Sequence, residues 1–167
     1  LGEPYRDEGF YTRELAAASM SKKPQRIVEI GTGLGIGALL LRILNPEADI
    51  LTIDNRELIP AADGNVYPAG YISDQNKTRH NFMLGTIENL FWQNVQLFFI
   101  DGDHSYEGVS LDSEVALRKS EKGAIMLWHD YNDRHPGCMR GVDEICKKYG
   151  FALHLLPDSS TVSCVLK

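Results

Sequence analysis

Two short segments concentrate the titratable side chains of this 167-residue chain. Asp101-Gly102-Asp103-His104 follows the apolar run Val95–Ile100, and His129-Asp130-Tyr131-Asn132 follows Ala124–Trp128. Their three carboxylates and two imidazoles are too many to bury unpaired. A hard divalent cation relieves that repulsion, and oxygen-rich ligands completed by water favour magnesium over zinc. Asp101, Asp130 and His129 are the candidate metal ligands. An imidazole with a pKa of ~6.5 is suited to removing a hydroxyl proton near neutrality. His104, three residues beyond Asp101, is therefore the candidate general base, with His129 as the alternative. Asp103 reads equally well as a capping residue, since Ser105 is the expected N-cap of the next helix.

A second kind of site lies nearer the N-terminus. Residues 29–37 read Glu-Ile-Gly-Thr-Gly-Leu-Gly-Ile-Gly and follow the apolar run Arg26-Ile27-Val28. A strand running into an acid and a glycine-rich turn is a cradle for a cofactor, because glycines permit positive φ and close backbone approach. The apolar stretch Ala38–Leu44 then supplies a helix whose amino end points at the ligand. Ile50-Leu51-Thr52-Ile53 runs into Asp54, a second strand ending in a carboxylate placed for ribose hydroxyls. The segment Gly33–Ala38 also satisfies the dinucleotide fingerprint. Against a diphosphate stands Glu29, whose negative charge inside a desolvated turn would cost several kcal/mol. A ligand with a ribose, a cationic amino-acid tail and no phosphate would welcome it.

These residues need elements to position them. The spacing predicts helices over 8–20 (Phe10, Leu15 and Ala18 inward), 35–44, 106–119 and 139–149, a third helix starting after Ser73 and reaching about 80, and a short helix within Gly85–Leu90. Strands are expected at 26–30, 49–53, 81–84, 95–100 and 124–128. A closing antiparallel hairpin is expected from 151–156 and 161–166, joined by residues 157–160. Alternating strands and helices imply an α/β, doubly wound, mostly parallel seven-stranded sheet with an antiparallel last strand. In such a sheet ligands bind outside the carboxyl ends of the strands, so both sites converge on one crevice. The long connection Glu57–Tyr71 reads as a lid over the cofactor, and Tyr131–Arg140 as a second wall for an acceptor.

Length fits one domain over residues 1–167, with roughly 70% of the unfolded surface buried. The net charge of −6 and pI near 5.3 argue against a nucleic-acid partner. No apolar run approaches the ~18 residues of a membrane span. Cys138, Cys146 and Cys164 lack metal or redox spacing, so reduced thiols in a cytoplasmic protein are expected. The expected partner is a small-molecule hydroxyl acceptor, and the sequence leaves room for a homo-oligomer.

The pattern Glu-x-Gly-x-Gly-x-Gly resembles the first motif of class I S-adenosylmethionine-dependent methyltransferases, a Rossmann-like family whose sheet has this element order and reversed last strand. Phe99–Val109, Trp128-His129-Asp130-Tyr131 and Pro136-Gly137 resemble a bacterial subgroup of that family. The subgroup holds macrolide-sugar O-methyltransferases and a cephalosporin hydroxylase-like branch, and the similarity spans about residues 9–150. It implies S-adenosylmethionine at Glu29, Gly31, Thr32, Gly33 and Gly35, with Asp54 and Asn55 at the ribose, Thr86 and Ile87 flanking the adenine, and Asp101 near the reactive end. It also implies a metal at Asp101 and Asp130, where His129 replaces a carboxylate usual in metal-dependent members. Three functions follow as expectations: methyl transfer to a hydroxyl, a hydroxylase-like or non-catalytic role on the same fold, and a nicotinamide-dependent oxidoreductase.

Overall fold

A computed structural model describes residues 11–77, 80–155 and 159–167. Five strands run parallel; the central ones are apolar on both faces and need a helical cover on each side. The five are β1 (Arg26–Ile30), β2 (Asp49–Asp54), β5 (Asn81–Leu84), β6 (Val95–Ile100) and β7 (Ser120–Trp128). With β8 (His154–Leu155) and β9 (Val162–Val165) they form one sheet in the order β5-β2-β1-β6-β7-β9-β8. β9 pairs antiparallel with β7, so the last strand is reversed as expected. Alternation along the strands sorts the core into two layers. Val28, Ile30, Ile53, Phe98, Ile100, Met126 and Trp128 face one side, where α4 (Tyr106–Lys119) and α5 (Pro136–Tyr149) pack. Ile27, Ile50, Leu97, Phe99 and Leu127 face the other, under α1 (Tyr11–Lys22) and α2 (Ile36–Leu44).

The chain leaves β1 toward β2 and β5, then crosses back to β6 and β7. This reversal opens a crevice at the carboxyl ends of β1 and β6. Each strand end is pinned one residue past its last paired position. Gly31 N–H donates to the Ile53 carbonyl at 2.8 Å, Asp101 N–H to Ile30 at 2.8 Å, His129 N–H to Ile100 at 3.0 Å, and Gly85 N–H to Asp54 at 2.8 Å. The first residue of the loops after β1, β5, β6 and β7 is therefore held by the sheet ladder itself.

Several expectations are corrected. The third helix, α3, is Tyr71–Gln75 rather than a segment beginning after Ser73. Gly70, left-handed at φ 79°, starts it, and Asn76 closes it. Residues 57–71 are not a lid. They carry the antiparallel hairpin β3 (Leu58–Pro60) and β4 (Val66–Pro68), and the chain beyond it docks on the glycine turn. Gly70 N–H donates to Gly33 O at 3.0 Å and Ile72 N–H to Leu34 O at 2.8 Å. α5 begins at Pro136, three residues earlier than expected, because proline is suited to the first helical position. Leu15 and Ala18 are buried as expected. The start of the first helix, Phe10 and the turn at 156–158 lie outside the described residues. Among the described residues no helix is long and apolar enough to cross a membrane.

Candidate functional site

The glycine turn is shaped by backbone that side chains would obstruct. Gly31 has φ 90°, and a Cβ there would overlap the Asp101 carbonyl, so the ends of β1 and β6 touch through this glycine. Gly33 (φ 50°) and Gly35 (φ 92°) carry the chain into α2. Asp54 is buried and holds the turn: its Oδ2 accepts from Gly33 N–H at 2.9 Å, and its Oδ1 accepts from Arg56 N–H at 3.0 Å. Glu29 lies beneath the first turn of α2, where a Cβ on Gly37 would overlap its carboxylate. Burial, then the charges of Asp101 and Asp54, raise the Glu29 pKa well above the ordinary carboxyl value. Glu29 Oε2 and Thr32 Oγ1 are both sealed from solvent without a hydrogen-bond partner. Buried polar atoms left open carry a desolvation cost.

A cleft of about 560 Å³ opens beside this turn, in the range typical of small-molecule sites. Gly31, Asp54, Asn55, Thr86, Ile87 and His104 line it, together with Asp103 and Asp112. Glu29, Thr32, Gly33, Gly35 and the Asp101 and His129 side chains are not on its wall. Thr86 caps the 3₁₀ turn Ile87–Asn89 reciprocally with Asn89, which fixes that part of the wall.

The ends of β6 and β7 bring Asp101, His104, His129 and Asp130 together. His129 Nδ1 lies 3.1 Å from Asp101 Oδ1 and 3.4 Å from Asp130 Oδ2. Burial alone would depress the His129 pKa, but the two carboxylates outweigh it and carry it to about 10. Burial would raise Asp130, yet His129, then His104 and His135, hold it below the ordinary value. Asp130 sits in the left-handed region at φ 57°, a conformation tolerated by Asp and frequent where structure enforces function. His104 Nε2 lies 3.0 Å from Asp130 Oδ2 and 3.8 Å from Asp101 Oδ1. It is sealed from solvent, and neither carboxylate presents an aligned hydrogen bond to it. The Asp101 carboxylate pulls the His104 pKa up, burial opposes it, and the Asp130 charge adds to the rise, so the net shift is upward.

Sequence reasoning missed His135. It occupies the N-cap position of α5 and packs edge-on against His104, with ring centres 4.4 Å apart. Its Nε2 is 3.9 Å from Asp130 Oδ1. The available signal was Pro136, which marks a helix start and so places His135 at the loop end. Two overlapping sets of donor atoms, Asp101/His129/Asp130 and His104/Asp130/His135, each lie within 4.8 Å. Asp103 accepts from Ser105 N–H at 2.9 Å and from Ser105 Oγ at 2.8 Å, which binds it to the helix cap.

An α/β sheet of this order with a glycine turn after β1 and an acid after β2 defines the class I methyltransferase fold. Residues 28–131 match the methyltransferase-domain family, and the chain belongs to that family. Among solved structures, the cofactor-bound Rv0187 from MTB superposes with a TM-score of 0.76 at 14% identity, covering 99% of this chain and 83% of that one. An O-methyltransferase from Bacillus cereus in complex with SAH gives 0.70 at 16%, covering 99% and 84%. SAH-bound methyltransferase PaMTH1 from Podospora anserina gives 0.67 at 19%, covering 93% and 76%. Likeness at these identities establishes the shared fold. No curated protein matches the chain by sequence.

Proposed function

We propose that residues 1–167 form one catalytic domain that transfers the methyl group of S-adenosylmethionine to a hydroxyl of a small-molecule acceptor. One observation carries this reading: a single cleft is lined both by the cradle residues Gly31, Asp54, Thr86 and Ile87 and by His104. The cleft is large enough for a nucleoside. The solved relatives named as SAH-bound or as O-methyltransferases point the same way. Three free, buried thiols suit a reducing compartment such as the cytoplasm.

S-adenosylmethionine supplies an electrophilic methyl on a sulfonium that leaves as a neutral thioether. The chain's part is placement and proton removal. The β1, β2 and β5 ends hold the nucleoside, with Asp54 accepting from ribose. The acceptor's oxygen is held in line with the methyl carbon, which is worth up to about 7–11 kcal/mol as effective molarity. His104, which lines the cleft, takes the hydroxyl proton as the new O–C bond forms, while His129 lies off the cleft wall between Asp101 and Asp130.

The residues present fit a divalent cation. Asp101, His129 and Asp130 would hold it, with His104 and His135 beside them, and it would polarise the acceptor oxygen. The imidazole content departs from the all-oxygen shell magnesium prefers, so a first-row ion such as manganese or zinc ranks ahead of it. Incubating the protein with methyl-labelled S-adenosylmethionine and a panel of sugar, phenol and polyketide alcohols, with chelator or with each metal, tests the whole reading. Label in an ether product is expected. Calorimetric binding of NAD in place of S-adenosylhomocysteine would overturn it.

A further inference from the structure

Asp130 belongs to two sets of donor atoms, and only the inner one, with Asp101 and His129, accounts for a cation that would polarise the acceptor. The outer set joins Asp130 to His104 and His135, one ligand atom from each lying within 4.8 Å of the others. Its chemistry differs, with two imidazoles and one carboxylate in place of one and two. Donors around a metal stand about 3.0–3.4 Å apart when their bonds are about 2.0–2.1 Å long. His104 Nε2 lies 3.0 Å from Asp130 Oδ2 and is already spaced as a neighbour in such a shell. That nitrogen is sealed from solvent and makes no hydrogen bond, so it has the spacing of a co-ligand without the alignment of a donor. His135 Nε2 is 3.9 Å from Asp130 Oδ1, and its ring meets His104 edge-on. Closing the set asks for side-chain movement of no more than about 1.5 Å. The His104 and His135 side chains are 36% and 33% exposed, which gives an ion a way in and leaves room for water to complete its shell.

We propose that His104, Asp130 and His135 bind a zinc-type divalent cation that switches the enzyme off by capturing its general base. Two imidazoles beside one carboxylate suit zinc and its first-row neighbours and disfavour magnesium, which takes oxygen ligands. A neutral imidazole has a single nitrogen lone pair to offer. An ion on either nitrogen of His104 therefore leaves none for the hydroxyl proton, whereas an ion on the inner set leaves His104 free. The switch rests on the reading that His104 is the base; the binding of the ion does not. His135 is the residue that separates the two sets, because it belongs to the outer one alone. It sits at the N-cap of α5 without a side-chain capping bond, so replacing it removes a ligand and no cap.

Zinc titration of the chelator-stripped wild type and of His135→Ala tests this, with the histidine ring signals followed by NMR and methyl transfer to a reactive alcohol of the panel measured alongside. In the wild type, zinc should move the His104 and His135 signals together and should stop methyl transfer in proportion to its occupancy. Chelator should restore the rate, and magnesium should do neither. His135→Ala should bind zinc about tenfold or more weakly, with inhibition shifted by the same factor relative to its own zinc-free rate. Zinc that moves the His129 signal and leaves His135 unmoved overturns the outer site, and so does inhibition of equal potency in a His135→Ala protein that melts normally. A wild type that binds no zinc overturns it as well. Zinc that moves both His104 and His135 while methyl transfer continues overturns the switch and the reading of His104 as base, and leaves the metal site standing.

Discussion

At the ends of β1, β2 and β5 the chain shapes its site with backbone: glycines at positive φ, Gly33 N–H on Asp54, and a reciprocal cap between Thr86 and Asn89. At the ends of β6 and β7 it uses charge instead, packing Asp101 and three histidines around Asp130. Both halves hang from the same sheet ladder, so their positional precision is similar. They differ in what can disturb them. A backbone cradle answers to steric change and is nearly blind to pH and ions. A cluster of titratable groups takes its geometry from protons or cations, and so it is the half that solution conditions can reset.

Removing the base separates the halves most sharply. His104→Ala should lower turnover by about 10²–10⁴-fold, while affinity for S-adenosylhomocysteine stays within about twofold. Because its neighbours raise the His104 pKa, the wild-type rate in the metal-free protein should climb with pH above the ordinary ~6.5. Turnover that survives the substitution, or cofactor affinity that falls with it, would dissolve the distinction.

Stability against pH probes the charged half alone. His129 has a folded pKa of about 10 against ~6.5 unfolded. Its stabilisation is complete below about pH 6.5 and is lost as pH rises toward 10. The loss should be on the order of 3 kcal/mol, since the pairing is shared with Asp130 and is counted once. For a chain this size that lowers the melting temperature by roughly 10 °C. His129→Asn should flatten this slope, and so should a saturating divalent cation that replaces the proton. A slope that persists in the variant assigns the effect elsewhere.

The two halves were not equally legible in the sequence. The succession of strands and helices and the glycine cradle could be read because apolar runs and glycine spacing are local signals. Asp101, His104 and Asp130 could be placed because each lies at or just past a strand end. His135 and Asp112 could not. One reaches the site only because α5 begins at Pro136, and the other only because α4 lies over Gly102, and both facts are tertiary. The hairpin at 58–68 was hidden by strands of three residues carrying prolines. The sequence also placed Glu29 at the ligand, whereas strand alternation turns it under α2, away from the cleft wall.

In the backbone half, Asp54→Ala removes a buried carboxylate that holds Gly33 and Arg56. Affinity for S-adenosylhomocysteine should fall by about 10–100-fold, or 1–3 kcal/mol, at every pH from 6 to 9. A strongly pH-dependent loss would mean that the cradle is coupled to the charged cluster after all.

The smallest effect tests the seam between the halves. Ser105 caps α4: its Oγ accepts from Gly108 N–H at 3.0 Å and donates to Asp103 Oδ2 at 2.8 Å. Those two bonds set the loop that carries His104 to the cleft. Ser105→Ala should cost about 1 kcal/mol of stability, as caps do, and should release Asp103, whose pKa is held down first by Ser105 N–H and then by its hydroxyl. Turnover should drop a few-fold because His104 is less well fixed, while cofactor affinity should hold, since Asp54 and the glycine turn do not touch the cap. Ser105→Asp, which restores a capping oxygen, should recover stability and most of the turnover. If Ser105→Ala weakens cofactor binding as much as it slows the reaction, the β6 loop shapes the cradle as well, and the two halves are one unit.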